Sequence, residues 1–220
     1  MENLRTNFNL SEKEIQSLFR FVEKKSVRWY DLQIEIVDHL ASSIEDEISL
    51  IPGISFESAL ENVYKGFGIF GFAKIVEERQ NHLAKAVKKR WWSEIKNMFK
   101  WPEIALSILI VSGLSILSKL LQHSLEIYFY IIYFGIISIP MISVLQRKNV
   151  KKPLLLLEKG SMYMSVSTFF QFFIIPFSLR ISPLLFVVLL FITTLFEMAT
   201  FKTYISIRKK AEALYPAAFN

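Results

Sequence analysis

Four long apolar runs in the second half of the chain constrain its fold more than any other feature. Each run has roughly 18–22 residues, and about 20 helical residues cross a hydrocarbon core about 30 Å thick. None of them alternates apolar and polar residues with the period of two that a membrane β-strand requires. The runs therefore predict a bundle of four transmembrane helices, at 103–121, 126–144, 161–179 and 183–205.

The positive charge of the chain is concentrated beside these runs. Residues 1–83 contain nine Lys/Arg and fourteen Asp/Glu, a net charge of −5, whereas residues 84–220 contain seventeen and six, a net charge of +11. A basic segment next to an apolar run is typical of contact with anionic lipid, so we expect the lipid bilayer and no nucleic acid as a partner. The chain has no cysteine, which excludes disulfides, thiol catalysis and thiolate metal sites.

The distribution of Lys and Arg around the runs predicts the orientation. Fifteen lie before the first run, between the second and third, and at or after the end of the fourth, against two on the opposite side. Cytoplasmic loops carry such an excess. We therefore expect a multi-pass plasma-membrane protein with both termini in the cytoplasm, ending in a cytoplasmic tail at 206–220.

Residues 1–83 are predicted to form a small cytoplasmic helical bundle, so the fold class is all-α. Ser11 and Glu14 have the spacing of a capping box, and Ser55 is placed to cap a third helix. The second helix is predicted from Trp29 to Leu50, and a fourth begins near Phe72. Helical periodicity predicts these buried positions in the first two helices: Ile15, Leu18, Phe19, Val22, Val37, Leu40, Ala41, Ile44, Ile48 and Ile51.

Residues 66–71 spell GxGxxG, the pattern of dinucleotide-binding loops. Such a loop follows a β-strand, whereas the preceding residues ESALENVYK are predicted to be helical, and bulky side chains occupy the x positions. The pattern is therefore interpreted as a turn between helices, and no cofactor is expected.

The stretch IEIVDHLASSIEDE, followed by SFESALENVYKGFGIFGFAKIVEE, resembles the HAAS-type helical domain over about residues 11–80. Four residues match its acidic and histidine-bearing helix, and Phe67-Gly68 matches the turn before its last helix. The resemblance implies a bacterial inner-membrane protein that acts as a signalling adaptor, with a PadR-like regulator or a transporter as its partner. The candidate partner-binding residues are Glu35, Asp38, His39 and Glu45.

Glu35, Asp38 and His39 also have spacings of three and four that would let them converge on one cation. A metal site needs ligands from a second element, and none is clearly placed to supply them. The favoured interpretation is a solvated helix face whose carboxylates pair with Lys and Arg, so no metal is predicted.

Residues 84–102 combine basic and tryptophan side chains directly before the first apolar run. This composition predicts a basic amphipathic helix at the membrane interface, the alternative being a continuation of the last bundle helix. The candidate membrane-interface residues are Lys88, Lys89, Arg90, Trp91, Trp92, Lys96 and Trp101.

Glu197 is the one acidic residue well inside an apolar run, and an ionisable group there is a functional hypothesis by default. Ser165 and Thr168 in the third run lie at a similar predicted depth, and Gln171 lies near the midplane. The four residues form either a polar seam that holds two helices together or a path for a proton or cation.

No catalytic motif is present: GxSxG, HExxH and paired metal spacings are all missing. The sequence therefore predicts a non-enzymatic membrane regulatory adaptor that binds a protein partner. The alternative is a small transporter or transporter subunit that uses Glu197 and Gln171, and four spans would require it to form a homo-oligomer.

Overall fold

The computed structural model describes residues 10–102, 150–162 and 181–219, with residues 104, 105, 108, 109, 112, 135 and 177. The helices in these ranges are α1 Glu12–Lys24, α2 Tyr30–Leu50, α3 Phe56–Lys65, α4 Ala73–Met98, α5 Leu155–Gly160, α6 Pro183–Leu214 and a 3-10 helix at Pro216–Ala218. The described ranges contain no β-strand, which confirms the predicted all-α class.

The chain divides into two compact units. The first consists of residues 1–83, 150–156 and 212–220, and the second of residues 84–149 and 157–211. The sequence placed a boundary at residue 83 but did not associate the two later segments with the N-terminal domain. Three helices, α4, α5 and α6, have residues in both units.

The predicted helix starts in the first unit are confirmed. The Ser11 hydroxyl accepts a hydrogen bond from the Glu14 N–H at 3.4 Å, and the Glu14 carboxylate accepts one from the Ser11 N–H at 2.7 Å. The Ser55 hydroxyl accepts one from the Ser58 N–H at 3.2 Å. These bonds satisfy donors that the first helical turn leaves without partners.

The core of the first unit is formed mainly by α1 and α2. Leu18 and Val22 of α1 are buried, as are Val37, Leu40, Ala41 and Ile44 of α2, in agreement with the predicted periodicity. Ile51 is an exception: it follows the end of α2 and is 45% exposed. Leu155, from the segment 150–156, also belongs to this core.

The Gly66–Gly71 segment is a turn between α3 and α4, as predicted. Gly68 and Gly71 have φ angles of +69° and +50°, which L side chains rarely adopt. The ring of Phe72, directly after the turn, lies 5.2 Å from the ring of Tyr64 and 5.0 Å from that of Phe67. These aromatic contacts fix both ends of the turn against the core.

In the second unit, residues 84–98 continue α4 without a break, which is the alternative that the sequence left open for this segment. The Trp91 indole N–H donates a hydrogen bond to the Thr200 hydroxyl of α6 at 2.9 Å, and the Trp91 ring lies 5.4 Å from that of Phe196. Gly160 lies so close to Ile207 that an added Cβ would be 3.0 Å from a methyl carbon. Small and polar groups therefore help to pack this unit.

Across the described ranges, no helix is both long enough and apolar enough to span a membrane. The first three predicted spans, 103–121, 126–144 and 161–179, lie almost wholly outside those ranges. Residues 183–205 are helical and lie in α6, which continues to Leu214. The transmembrane bundle has no support from the structure and stays a prediction.

Substitution of Gly71 tests the geometry of the turn. An alanine Cβ at Gly71 would lie 2.6 Å from the Tyr64 hydroxyl, whereas one at Gly53, which also has a positive φ, meets nothing within 4 Å. Both substitutions incur the positive-φ cost of about 1–2 kcal/mol, and only Gly71→Ala also displaces Tyr64. We expect hydrogen exchange of core amides in α1 and α2 of the full-length protein to accelerate more in Gly71→Ala than in Gly53→Ala. Equal acceleration would contradict the packing described for Tyr64.

Candidate functional site

The N-terminus of α2 lacks an ordinary helix cap. Its N-cap residue, Trp29, has extended backbone and makes no side-chain capping bond. The Tyr30 N–H instead donates a hydrogen bond to the Pro153 carbonyl at 2.8 Å. A donor that a helix leaves without an internal partner is thus satisfied by a segment more than a hundred residues further along the chain.

Asp31 makes the reciprocal interaction. Its carboxylate accepts hydrogen bonds from the N–H groups of Leu155 and Leu156, both at 2.9 Å, and its side chain is only 7% exposed. These N–H groups belong to the first turn of α5, so Asp31 caps α5 from another helix. The carboxylate also lies in the first turn of α2, where the helix dipole favours a negative charge.

The C-terminal segment binds to the same place. The N–H groups of Lys151 and Lys152 both donate to the Ala218 carbonyl, at 2.8 and 3.3 Å, and Ala218 is fully buried. The Lys152 ammonium lies 4.0 Å from the centre of the Tyr30 ring, a cation–π distance. The C-terminal segment 212–220 is therefore held to the segment 150–156, which is itself held to α2.

A second layer of polar side chains connects α2, α4 and the C-terminal segment. The Arg79 guanidinium lies 3.1 Å from the Glu35 carboxylate, and Arg79 also interacts with Tyr215. Burial raises the pKa of Tyr215, and the charges of Asp31 and Glu35 raise it further, while Arg79 partly offsets them. Burial also raises the pKa of Tyr30. We call this group the clasp and define it as Tyr30, Asp31, Glu35, Arg79, Lys152 and Tyr215.

The chemistry of the clasp is that of a structural connection. The Asp31 carboxylate is occupied by two backbone donors, and Glu35 is paired with a cation. Among the described residues, no three His, Asp or Glu side chains lie together in a way that could hold a metal ion. The arrangement holds two chain segments, and the Asp31 carboxylate supplies two of its hydrogen-bond acceptors.

The four predicted partner-binding residues have different surroundings. Glu35 belongs to the clasp, and the Glu45 carboxylate accepts a hydrogen bond from the Leu10 N–H at 3.1 Å. Asp38 is half-buried and His39 is exposed. The structure thus divides the set: Glu35 and Glu45 bind other parts of the first unit, and His39 faces solvent.

The predicted membrane-interface residues also divide into two groups. Trp91 packs against α6, and Arg90 forms an ion pair with Glu94 at 2.9 Å. The other members are exposed side chains: Lys88, Lys89, Trp92, Lys96 and Trp101.

Among the intramembrane candidates, Glu197 is 1% exposed in α6, one helical turn before the buried Thr200. The remaining candidates lie outside the described residues: Ser165, Thr168 and Gln171.

Five of the six clasp residues were not among the site residues predicted from the sequence, which included only Glu35. The available signal was local: Asp31 lies one residue after an N-terminus that has no Ser, Thr, Asn or Asp cap. That signal indicates a distant partner for the helix end, but nothing in the sequence identifies residues 153–156 as that partner.

Comparison with known proteins gives no relatives for this chain. No family model, no curated protein and no solved structure matches it. The resemblance to the HAAS-type domain stays a prediction.

Substitution of Asp31 tests the clasp. Asp31→Ala leaves two N–H groups of α5 without an acceptor, which we expect to destabilise the docked segment by about 2–5 kcal/mol. Asp31→Asn offers one amide oxygen and should have an intermediate effect. Hydrogen exchange at 150–156 in the full-length protein measures the change, with the exposed Asp46→Asn in the same helix as control. Unchanged exchange in Asp31→Ala would contradict the assigned role of this carboxylate.

Titration of Tyr215 provides a second test. Its neutral form is favoured in the folded state, so its contribution to stability is complete below the ordinary tyrosine pKa of about 10 and is lost as the pH rises through the higher folded value. The phenolate absorbance difference between the wild type and Tyr215→Phe should therefore have its midpoint above that of an exposed tyrosine. A midpoint at or below the ordinary value would contradict the half-buried position of Tyr215 and the influence of the Asp31 and Glu35 charges.

Proposed function

We propose that the protein is a non-enzymatic membrane regulatory adaptor. In this proposal the first unit binds a cytoplasmic protein partner, and the clasp relays that binding to chain segments that continue into the second unit. The supporting observation is the pair of hydrogen bonds from Leu155 and Leu156 to the buried Asp31 carboxylate.

The clasp supports coupling because of where its segments lead. Residue 157, directly after the segment held by Asp31, belongs to the second unit, and so does residue 211, directly before the C-terminal segment. A conformational change at the first turn of α2 would therefore reach the second unit through two chain connections, at 156–157 and 211–212, in addition to α4. Coupling of this kind requires only that partner binding differ in free energy between the closed and open clasp.

The exposed side of α2 is the surface that we assign to the partner. It begins with His39, next to the half-buried Asp38, and continues along the helix with Ser42, Ser43 and Asp46. This side belongs to the same rigid helix as Tyr30 and Asp31, so a partner bound here contacts the element that forms the clasp. The predicted HAAS-type resemblance favours a transcriptional regulator or a membrane transport protein as that partner.

The membrane setting in this proposal comes from the sequence. The four apolar runs and the excess of Lys and Arg on one side of them support a multi-pass protein with cytoplasmic termini. In this setting the exposed Lys88, Lys89 and Trp92 of α4 are suited to the headgroup region of an anionic leaflet. The first unit would then lie on the cytoplasmic side.

A second candidate function is transport by an oligomer of this chain. The observation in its favour is the burial of Glu197, which is 1% exposed on a helix that also buries Thr200 and Thr203. A buried acid on an apolar helix is typical of proton and cation paths.

Photo-crosslinking in cells tests the adaptor proposal. A photoreactive amino acid at His39 of the full-length protein should capture one discrete regulator or transport protein, identified by mass spectrometry. The same group at the exposed Gln16 of α1 is the control and should not capture it. Because partner binding and clasp closure are linked, Asp31→Asn should change the yield by about threefold or more.

Two outcomes would contradict the proposal. Capture of nothing but further copies of the chain would favour the transport candidate and Glu197. Capture of a partner with a yield that Asp31→Asn leaves unchanged would contradict the relay through the clasp.

A further inference from the structure

The turn between α3 and α4 exposes two large apolar side chains. Ile69 is 96% exposed and Phe70 is 75% exposed, although both belong to a short segment next to the core of the first unit. Exposure of an Ile and a Phe side by side in water is unfavourable, because removing apolar area from water stabilises a folded or bound state. Adjacent exposed apolar side chains of this size are typical of a surface that binds a protein or a membrane.

The exposure of this pair is built into the backbone of the turn. The positive φ angles of Gly68 and Gly71 bracket Ile69 and Phe70, and the Gly71 N–H donates to the Gly68 carbonyl at 3.2 Å. Phe67 and Phe72 pack inward against Tyr64, on either side of the exposed pair. Because both flanks are anchored, the outward position of the pair is a fixed feature of the turn.

The charges around the turn are unlike those of the rest of the first unit. Residues 62–76 contain no Asp or Glu, although residues 1–83 contain fourteen. Lys74 is exposed in the first turn of α4, and the Lys25 ammonium lies 4.3 Å from the centre of the Tyr64 ring. Lys65 adds no net charge because it pairs with Glu61 at 2.9 Å. Glu61, Glu77 and Glu78 border this stretch, so the apolar pair lies within residues 62–76, where the only charged residues are Lys65 and Lys74.

A second turn provides an internal comparison. Leu50, the last residue of α2, is 78% exposed, and Ile51, which follows it, is 45% exposed, so this turn also presents apolar side chains to solvent. Its sequence neighbours are acidic: Glu45, Asp46, Glu47 and Glu57. An anionic lipid surface would repel this turn and attract the other one.

We propose that the Gly66–Gly71 turn is a lipid-contacting tip. Ile69 and Phe70 insert into the interfacial layer of an anionic leaflet, and Lys25 and Lys74 lie close to the lipid phosphates. The pattern of an apolar insertion flanked by cations is that of interfacial membrane binding. The inference rests on the proposed function only in requiring that the chain be at a membrane.

The experiment uses the full-length chain, whose lack of cysteine allows a single labelled position. Ile69→Cys, which keeps Phe70, carries an environment-sensitive fluorophore, and the protein is reconstituted in nanodiscs with about 30% phosphatidylglycerol or with phosphatidylcholine alone. We expect quenching by spin-labelled lipid in the anionic discs, and iodide quenching reduced about threefold or more relative to the zwitterionic discs. The same fluorophore at Leu50→Cys should stay accessible to iodide in both.

Two sets of substitutions separate the apolar contribution to lipid binding from the electrostatic one. Phe70→Ser in the Ile69→Cys background should reduce quenching by spin-labelled lipid about twofold or more, because apolar area is lost. The double substitution Lys25→Glu and Lys74→Glu should make iodide quenching at position 69 the same in anionic and in zwitterionic discs.

Three results would overturn the inference. Equal iodide access at positions 69 and 50 in anionic discs would show that the tip does not insert. Protection from iodide without quenching by spin-labelled lipid would show burial against protein, either a partner or a second copy. Lipid quenching that is the same with and without the two Lys→Glu substitutions would remove the charge argument.

Extraction of cell membranes with alkaline carbonate separates this inference from the proposed function. If the chain stays with the lipid but position 69 remains accessible to iodide, only the lipid-contacting tip is wrong. If the chain is released as soluble protein, the membrane setting of the proposed function is wrong as well.

Discussion

The hydrogen bonds of one buried carboxylate determine how the first unit is assembled. Leu155 is a core residue of that unit, and burying it brings the backbone N–H groups of the first turn of α5 out of water. A buried backbone donor without an acceptor costs about 1–3 kcal/mol. Asp31 supplies acceptors for two such donors, so the segment 150–156 makes its apolar contacts without that cost.

The same carboxylate explains why the C-terminal segment binds where it does. Once residues 151 and 152 are fixed beside α2, their N–H groups are placed to donate to the Ala218 carbonyl. Tyr215 then lies near two carboxylates, Asp31 and Glu35, and Arg79 balances part of their negative charge. The two segments therefore contact each other as well as the rest of the first unit, which the proposed relay of partner binding would require.

The turns at the two ends of α3 both expose apolar side chains, but the charges and the packing around them differ. Leu50 is exposed within an acidic stretch, whereas Ile69 and Phe70 are exposed where acidic residues are missing and two lysines are near. The space around their glycines also differs, since an added Cβ at Gly71 would lie 2.6 Å from the Tyr64 hydroxyl and one at Gly53 would meet nothing within 4 Å. Hydrophobicity alone would treat the two turns alike, and only the charge and the packing around each distinguish them.

The sequence by itself determined the local structure of the N-terminal helices. The Ser11–Glu14 capping box, the Ser55 cap, the buried faces around Leu18 and Leu40 and the glycine turn all depend on neighbours within a few residues, so their pattern predicts them. Tertiary structure alone decided the clasp, because Asp31 and Leu155 are 124 residues apart and no periodicity relates them. It also decided that Glu35 faces Arg79 whereas His39, one helical turn later, faces solvent. Helical spacing places these two residues near each other, but what packs against the helix determines which side chain is used within the fold.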